Sequence, residues 1–287
     1  MTIRAGFVGL GNIGEPMAQQ LVSGGFETTV FDVHPPALKP LVEAGARAAA
    51  SLAELAARCD AIGVCVRDDD DVRAVTLGEA GLVANASPGA VIALHSTILP
   101  STVREVGRAA AARGVGVVDA CVTGARPGAQ QGTLTYMVGG TAEHLEHCRP
   151  LFETSAGKIV HTGELGSGAA TKLCNNLMTY LGFLSASEAT RLAASSGLSQ
   201  DALEAVTRSN GNMSDQMLAF LALHKAPAET RKSESFQGML RNFTTLAEKD
   251  LAVTLAFARE NGVTLPGTAL CQQLMARVYG LEDEKRR

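Results

Sequence analysis

The sequence predicts an α/β domain with a doubly wound, mainly parallel sheet, followed by an all-α domain. In the first half of the 287-residue chain, short apolar runs alternate with stretches of helical periodicity, a pattern typical of βαβ units. A glycine-rich segment follows the first apolar run directly. After Gly163 the alternation stops and helix formers dominate, so we place one domain at residues 1–165 and a second at residues 166–287.

Short apolar runs mark the strands of the first domain, and they are Ile3–Val8, Thr28–Phe31, Ala61–Val66, Ala90–Leu94, Val115–Val118, Leu134–Val138 and Lys158–His161. The helix candidates between them are Glu15–Ser23, Ala37–Ala44, Leu52–Arg58 and Ser101–Ala112. Ser51 and Glu54 have the spacing of a capping box, which defines the start of one helix. This order favours right-handed crossovers between parallel strands.

The second domain is expected to contain a long helix from Ala169 to Ser196, because apolar residues recur there at helical spacing. A second helical run is predicted from Arg241 to Arg259. The polar stretch between Lys225 and Gln237 predicts a loop. The apolar surface of these Ala- and Leu-rich helices exceeds what one small domain can hide, so we expect a homodimer or homotetramer.

Composition excludes several classes of function. The net charge is −4 and no basic stripe occurs, which argues against a nucleic-acid partner. The acidic run Asp68–Asp71 predicts a solvated helix start rather than a metal site, because hard cations take oxygens from spread positions. Six cysteines without a CxxC pair indicate reduced thiols. No signal peptide and no apolar span of about 20 residues is found, so we expect a cytoplasmic protein without a membrane partner.

The first strand runs straight into a GxGxxG sequence at Gly9, Gly11 and Gly14, the fingerprint of a Rossmann-type dinucleotide site. The first glycine permits a tight turn, the second lets a pyrophosphate approach the backbone, and the third lets the helix pack closely. The helix N-terminus then offers free N–H groups to the phosphates. The predicted cofactor-binding residues of this loop are Gly9, Leu10, Gly11, Asn12, Ile13 and Gly14.

Asp32 ends the second predicted strand, 18 residues beyond Gly14, close to the spacing of the acid that accepts the ribose hydroxyls. A carboxylate at this position repels a 2′-phosphate, so the sequence favours NAD over NADP. The alternative interpretation is that Asp32 only caps the helix that follows.

A second glycine-rich stretch begins at Asp119 and contains Thr123, Gly124, Ala125 and Arg126. It lies just past a predicted strand end, where open α/β sheets bind ligands. Free backbone N–H groups in a glycine turn can hold an anion such as a carboxylate. Arg126 is a candidate for binding a second anionic group of the substrate, and its alternative is an ordinary solvated arginine.

Lys172 and Asn176 are four residues apart and therefore share one face of a predicted helix. Apolar neighbours on that face would desolvate the amine, and desolvation lowers a lysine pKa towards the range useful for acid/base catalysis. The alternative is a surface lysine, as most lysines are. Glu248-Lys249-Asp250, further on, has by itself only the character of a charged helix face.

Four motifs in order change this picture: GFVGLGNIGEPMA, TGARPGAQQGTLTYMVGG, GSGAATKLCNN and EKDLAV. With them, nearly the whole chain resembles the β-hydroxyacid dehydrogenase family, whose members act on 3-hydroxyisobutyrate or tartronate semialdehyde. The resemblance implies that Lys172 is the general acid/base and that Asn176 orients the substrate. Lys249 matches a family lysine near cofactor and substrate, with Asp250 supporting it.

The resemblance also implies ligand contacts in the first domain. Val66 and Arg67 match a Leu-Pro cofactor contact of the family, and Thr97 lies beside the nicotinamide ribose. Thr123 and Gly124 match a Ser-Gly pair that binds the substrate carboxylate. This chain departs from the family where Thr123 adds a methyl group, where Ala125 replaces a glycine, and where Arg67 replaces a proline. The first two changes tighten the substrate pocket.

The function expected from these features is reversible, NAD-dependent oxidation of a short 3-hydroxy acid. Alternatives are reduction of a semialdehyde such as tartronate or succinic semialdehyde, which is the same chemistry reversed, and a non-catalytic NAD-binding module. Imine reduction is disfavoured because Lys172 suits hydroxy-acid chemistry. Lys172, Asn176 and the glycine turn argue against the non-catalytic module.

Overall fold

The computed structural model describes residues 3–281, which form two compact units. The boundary between the units falls in the chain between Lys172 and Leu173. The first unit contains one eight-stranded sheet with helices, and the second contains helices only. The predicted fold class, a Rossmann-type α/β unit followed by an all-α unit, is confirmed.

The sheet has the strand order β3-β2-β1-β4-β5-β6-β7-β8. Neighbouring strands are parallel except for the antiparallel pair β6 and β7. The order reverses between β1 and β4, which is the switch point where such sheets bind ligands. The strands are β1 Ala5–Val8, β2 Thr28–Phe31, β3 Arg47–Ala48, β4 Ala61–Val64, β5 Val91–Leu94, β6 Gly116–Thr123, β7 Leu134–Gly139 and β8 Ala156–Gly163.

Helices cover both faces of this sheet. Phe7 of β1 packs with Met17 and Phe152 on one face, while its neighbour Val8 packs with Leu55 and Val103 on the other. The helices of this unit are α1 Gly14–Ser23, α2 Lys39–Glu43, α3 Leu52–Arg58, α4 Asp69–Thr76, α5 Leu82–Asn85, α6 Pro100–Ala111, α7 Ala125–Gln131 and α8 Ala142–Phe152, with a 3-10 helix at Pro35–Leu38.

Two predicted helix starts are confirmed by their capping hydrogen bonds. The Ser51 hydroxyl accepts from the Glu54 N–H at 3.1 Å and begins α3. Asp68 accepts from the Asp71 N–H at 2.9 Å and begins α4, so the acidic run is a helix start.

The structure of the first unit differs from the predicted elements at several places, and it contains helices α5 and α8, which were not predicted. Strand β6 continues to Thr123 instead of ending at Val118, so Asp119 lies inside a buried strand. Strand β3 has two exposed residues and therefore no apolar pattern to detect. Helix α7 occupies the glycine-rich stretch after β6, where composition indicated a turn.

Helix α9, Ser167–Ser195, begins in the first unit and continues into the second. The core of the second unit includes the stacked rings of Phe183 and Phe220, whose centroids lie 4.5 Å apart. No helix within residues 3–281 is long and apolar enough to cross a membrane. The other helices are α10 Gln200–Ser209, α11 Asp215–His224, α12 Ala228–Lys232, α13 Glu234–Glu260 and α14 Pro266–Tyr279.

The predicted loop between Lys225 and Gln237 is wrong, because this stretch contains α12 and the start of α13. The Ser233 hydroxyl accepts from the Phe236 N–H and caps α13. Gln237 is buried and donates to the Arg231 carbonyl at 2.8 Å. Polar composition alone does not distinguish a hydrophilic helix surface from a loop.

Candidate active site

Five parallel strands bring the predicted ligand residues of the first unit to one edge of the sheet. Strands β2, β1, β4, β5 and β6 are neighbours and end at that edge. Asp32, Gly9, Val66 and Thr97 follow shortly after the first four strands, and Thr123 is the last residue of the fifth. Topology therefore gathers segments that are far apart in the sequence.

The glycine loop has the shape that a dinucleotide diphosphate requires. Gly9 has φ +90°, and a Cβ there would lie 2.3 Å from the Cys65 carbonyl oxygen. A Cβ on Gly14 would lie 2.0 Å from the Gly9 carbonyl oxygen. By contrast, no described atom lies within 4 Å of a Cβ built on Gly11. The backbone at Gly9 and Gly14 is thus packed so closely that no side chain fits, whereas the space around Gly11 is open. This shape fits the diphosphate of NAD or NADP.

Asp32 lies beside this loop and holds it. One carboxylate oxygen accepts from the Leu10 N–H at 2.6 Å, and the other accepts from the His34 N–H at 2.7 Å. The short helix that follows has His34 as its N-cap and no side-chain cap, so these contacts do not support the interpretation that Asp32 caps it. They leave room for a ribose contact, because each carboxylate oxygen has a second lone pair that can accept a hydroxyl.

The ends of β4 and β5 are joined by one serine. The Ser96 hydroxyl accepts from the Val66 N–H and donates to the Val66 carbonyl, each at 2.9 Å. The half-buried Thr97 follows directly. Arg67 forms a 2.6 Å ion pair with Asp71 in α4, and 83% of its side chain is exposed. The residue that replaces the family's proline is thus paired with the neighbouring helix.

The predicted substrate turn has a left-handed backbone at two consecutive residues. Thr123 ends β6, Gly124 has φ +126°, and Ala125 has φ +54°. Ala125 is the one non-glycine residue with positive φ among residues 3–281. Thr123 is half-buried, whereas Gly124 and Ala125 are exposed. The alanine that replaces the family's glycine therefore adopts a conformation that glycine accepts more readily.

Replacing Ala125 with glycine is expected to raise the free energy of unfolding by roughly 1 kcal/mol, because it removes left-handed strain at an exposed site. Ala74 is a matched control, since it is exposed within helix α4. There the same change is expected to cost roughly 1 kcal/mol. Urea unfolding of both variants measures the two effects, and a loss of stability in Ala125→Gly contradicts the strain.

Arg126 contacts the cofactor loop. One guanidinium nitrogen donates to the Asn12 carbonyl at 3.0 Å, and another forms a 2.5 Å ion pair with Glu15 in the first turn of α1. These contacts give no support to the prediction that Arg126 binds a second anionic group of the substrate. Sequence reasoning missed Glu15 because 111 residues separate it from its partner.

Asp119 is the first residue of the glycine-rich stretch that contains Thr123, but its carboxylate accepts hydrogen bonds from backbone N–H groups at the start of helix α9. It is fully buried in β6, and its two oxygens accept from the Gly166 and Ala169 N–H groups at 2.8 and 2.7 Å. Burial raises the pKa of this carboxyl group, while the backbone donors act in the opposite direction. Asp119 thus fixes the start of the helix that carries Lys172, which is half-buried.

In the second unit, a buried carboxylate collects three side chains. One oxygen of Asp250 accepts from the Asn176 amide at 2.7 Å and from the Tyr180 hydroxyl at 3.2 Å. The other oxygen lies 2.7 Å from the Lys249 ammonium. Burial and the negative Asp250 raise the pKa of Tyr180, so its hydroxyl remains a donor. The structure thus brings together Asn176, Lys249 and Asp250, and it adds Tyr180, which the sequence patterns did not single out.

Lys172 and Asn176 lie one turn apart on the continuous helix α9. This spacing is the predicted one, and it places an amine and an oriented amide on the same helix face. An amine there can exchange a proton with a bound hydroxyl, and the amide can hold the hydroxyl in position. The glycine loop of the first unit and this helix face are each features typical of a nucleotide-dependent oxidoreductase.

Comparison with known proteins identifies the family. A model of the NAD binding domain of 6-phosphogluconate dehydrogenase matches residues 4–163. A model described as NAD-binding of NADP-dependent 3-hydroxyisobutyrate dehydrogenase matches residues 166–285. The chain therefore belongs to the NAD(P)-dependent β-hydroxyacid dehydrogenase family, as the motifs predicted.

Relatives agree over nearly the whole chain. The NAD-dependent L-serine dehydrogenase of Pseudomonas aeruginosa is 35% identical over 93% of this chain and 89% of its own. The 3-hydroxyisobutyrate dehydrogenase of the same organism is 34% identical, with coverage of 94% and 90%. The structure of Mycobacterium tuberculosis 3-hydroxyisobutyrate dehydrogenase with L-serine has a TM-score of 0.83 and 30% identity, covering 96% of this chain and 94% of that one.

Proposed function

We propose that this protein oxidises the hydroxyl group of a short 3-hydroxy acid, with NAD as the acceptor and Lys172 as the general acid/base. The observation that carries the proposal is the face of α9 on which Lys172 precedes Asn176 by one turn. Relatives named for 3-hydroxyisobutyrate, L-serine and 2-(hydroxymethyl)glutarate support the substrate class, because each compound has a hydroxymethyl group beside the carbon that bears a carboxylate.

In this proposal, Lys172 takes the proton of the substrate hydroxyl during oxidation and returns it during reduction. The nicotinamide, when bound, accepts the hydride from the hydroxyl carbon. Asn176 orients the substrate, and Asp250 holds the Asn176 amide at 2.7 Å so that its direction is defined. Thr123 and Gly124 bind the substrate carboxylate.

The proposed preference for NAD is supported by Asp32. Its carboxylate lies at the end of β2 beside the glycine loop, where it repels the 2′-phosphate of NADP and accepts the ribose hydroxyls of NAD. The second family model is named after an NADP-dependent enzyme, so both cofactors belong in the experiment.

The proposed division of the chain, at residues 165 and 166, lies between the two stretches matched by the family models. We also propose a homodimer or homotetramer in solution. Met178 and Leu192 support it, because these large apolar side chains of α9 are 73% and 69% exposed.

A panel of short 3-hydroxy acids, assayed with NAD and with NADP, tests the proposed function. We expect NADH to form with 3-hydroxyisobutyrate or a close analogue, and we expect kcat/KM to be at least about tenfold lower with NADP. The methyl ester of the best substrate is the matched control, because it lacks the carboxylate and is expected to react poorly.

Two outcomes would favour the alternatives. Turnover of tartronate or succinic semialdehyde with NADH, but of no hydroxy acid with NAD, would indicate a semialdehyde reductase. Binding of NAD without turnover of any compound in the panel would indicate a non-catalytic binding module.

A further inference from the structure

Helices α1 and α7 are tied together at both ends, and the ties connect the cofactor loop to the substrate turn. At one end, Arg126 of α7 contacts Asn12 of the glycine loop and Glu15 of α1. At the other end, the Gln20 amide of α1 donates to the Gln130 carbonyl of α7 at 2.6 Å. All of these residues belong to the first unit.

The charge of Glu15 creates a conflict that Arg126 resolves. Glu15 lies in the first turn of α1, where a carboxylate stabilises the helix through its dipole. The same end of α1 is where the open glycine loop fits a dinucleotide diphosphate. An unpaired carboxylate there would repel the diphosphate, and the Arg126 guanidinium neutralises that charge.

We propose that Arg126 is a positioning residue of the dinucleotide site rather than a substrate-binding residue. Its ion pair cancels the negative charge of Glu15, and its hydrogen bond to the Asn12 carbonyl holds the glycine loop. Because Arg126 directly follows the turn Thr123-Gly124-Ala125, it also joins that turn to the loop. The inference rests on the proposed function only in requiring that a dinucleotide binds at Gly9–Gly14.

The geometry distinguishes this contact from an ordinary surface ion pair. Arg126 reaches two groups of one segment that lies more than a hundred residues away in the chain. The side chains of Arg126 and Glu15 are 39% and 23% exposed, so solvent screens the pair less than a fully exposed one. By contrast, the pair Arg149–Glu146 lies within one turn of α8, and its glutamate is 60% exposed.

A double-mutant cycle on NADH binding, followed by the fluorescence of the bound NADH because the chain has no tryptophan, tests the inference without measuring turnover. Arg126→Met leaves Glu15 unpaired and is expected to raise the Kd for NADH about tenfold at low salt, with a smaller effect at high salt. Glu15→Gln is expected to change Kd by less than about twofold. In the double variant, Kd is expected to fall back to within about threefold of the wild-type value.

Arg149→Met is the matched control and is expected to bind NADH like the wild type. The proposal is overturned if the double variant binds as weakly as Arg126→Met, because the arginine would then act only through packing. It is also overturned if Arg126→Met retains wild-type affinity, or if the wild type binds no NADH. If the NADH affinities of the variants follow the expected cycle but the protein oxidises no hydroxy acid, the proposed function is contradicted and this inference is not.

Discussion

Lys172→Met is expected to lower kcat for the best hydroxy acid by about 10²–10⁴-fold, the usual contribution of a positioned general acid/base. Methionine preserves the length and packing of the side chain but can neither take nor return a proton. The affinity for NADH is expected to change little, because Lys172 lies on α9 and not on the glycine loop. Steady-state kinetics together with an NADH titration separates the two effects.

Lys158→Met is the matched control, because Lys158 is an exposed lysine on β8 of the same unit. It is expected to retain wild-type kinetics. A small primary amine added to a second variant, Lys172→Ala, is expected to restore part of the activity, since the shortened side chain leaves space for the amine that supplies the missing base. Wild-type turnover by Lys172→Met would show that another group transfers the proton.

Asp119→Ala is expected to lower the free energy of unfolding by roughly 3 kcal/mol, because it leaves two buried N–H groups without acceptors. These N–H groups belong to Gly166 and Ala169, at the start of α9. Fraying of this helix start is also expected to displace Lys172 and to lower kcat. Urea unfolding followed by circular dichroism measures the loss of stability.

Asp70→Ala is the control for this variant, because Asp70 is 97% exposed and pairs only at the surface of α4. Its stability is expected to match that of the wild type. A stability of Asp119→Ala equal to that of the control would show that water satisfies the helix start.

The titration of Asp119 gives a further readout of the same contact. Burial raises the pKa of Asp119 in the folded state above its ordinary value of 3.8. A raised pKa means that the folded state binds the proton more tightly, so this stabilising contribution is full below the unfolded pKa and is lost as pH rises through the folded pKa. The stability advantage of the wild type over Asp119→Asn is therefore expected to grow as pH falls from neutral towards 3.8.

The sequence predicted those elements of the fold that are marked by an apolar run or by a capping pair. Apolar runs such as Thr28–Phe31 match the observed strand, and the capping pair Ser51–Glu54 marks the observed helix start. Strand β3 and helix α12 lack such patterns, because short or fully solvated elements need no apolar stripe. Their positions are set by tertiary contacts, which sequence periodicity does not contain.

The candidate site was likewise predictable only where it depends on local sequence patterns. GxGxxG and the Lys172–Asn176 spacing are local patterns, and the structure retains both as a loop and a helix face. The partners that orient them come from distant segments: Asp119 for the start of α9, and Tyr180 beside Asp250. Asp119 did leave one signal, because an acid within an apolar strand run requires buried donors.

The transfer of deuterium tests the central claim most directly. The wild-type protein would be incubated with NAD and 3-hydroxyisobutyrate that carries deuterium on the hydroxyl-bearing carbon, and the NADH formed would be analysed by mass spectrometry. We expect NADH that carries one deuterium in the nicotinamide ring, formed at a rate that falls in Lys172→Met. Absence of labelled NADH with this and related hydroxy acids, in a protein that binds NAD, would contradict the proposed hydride transfer.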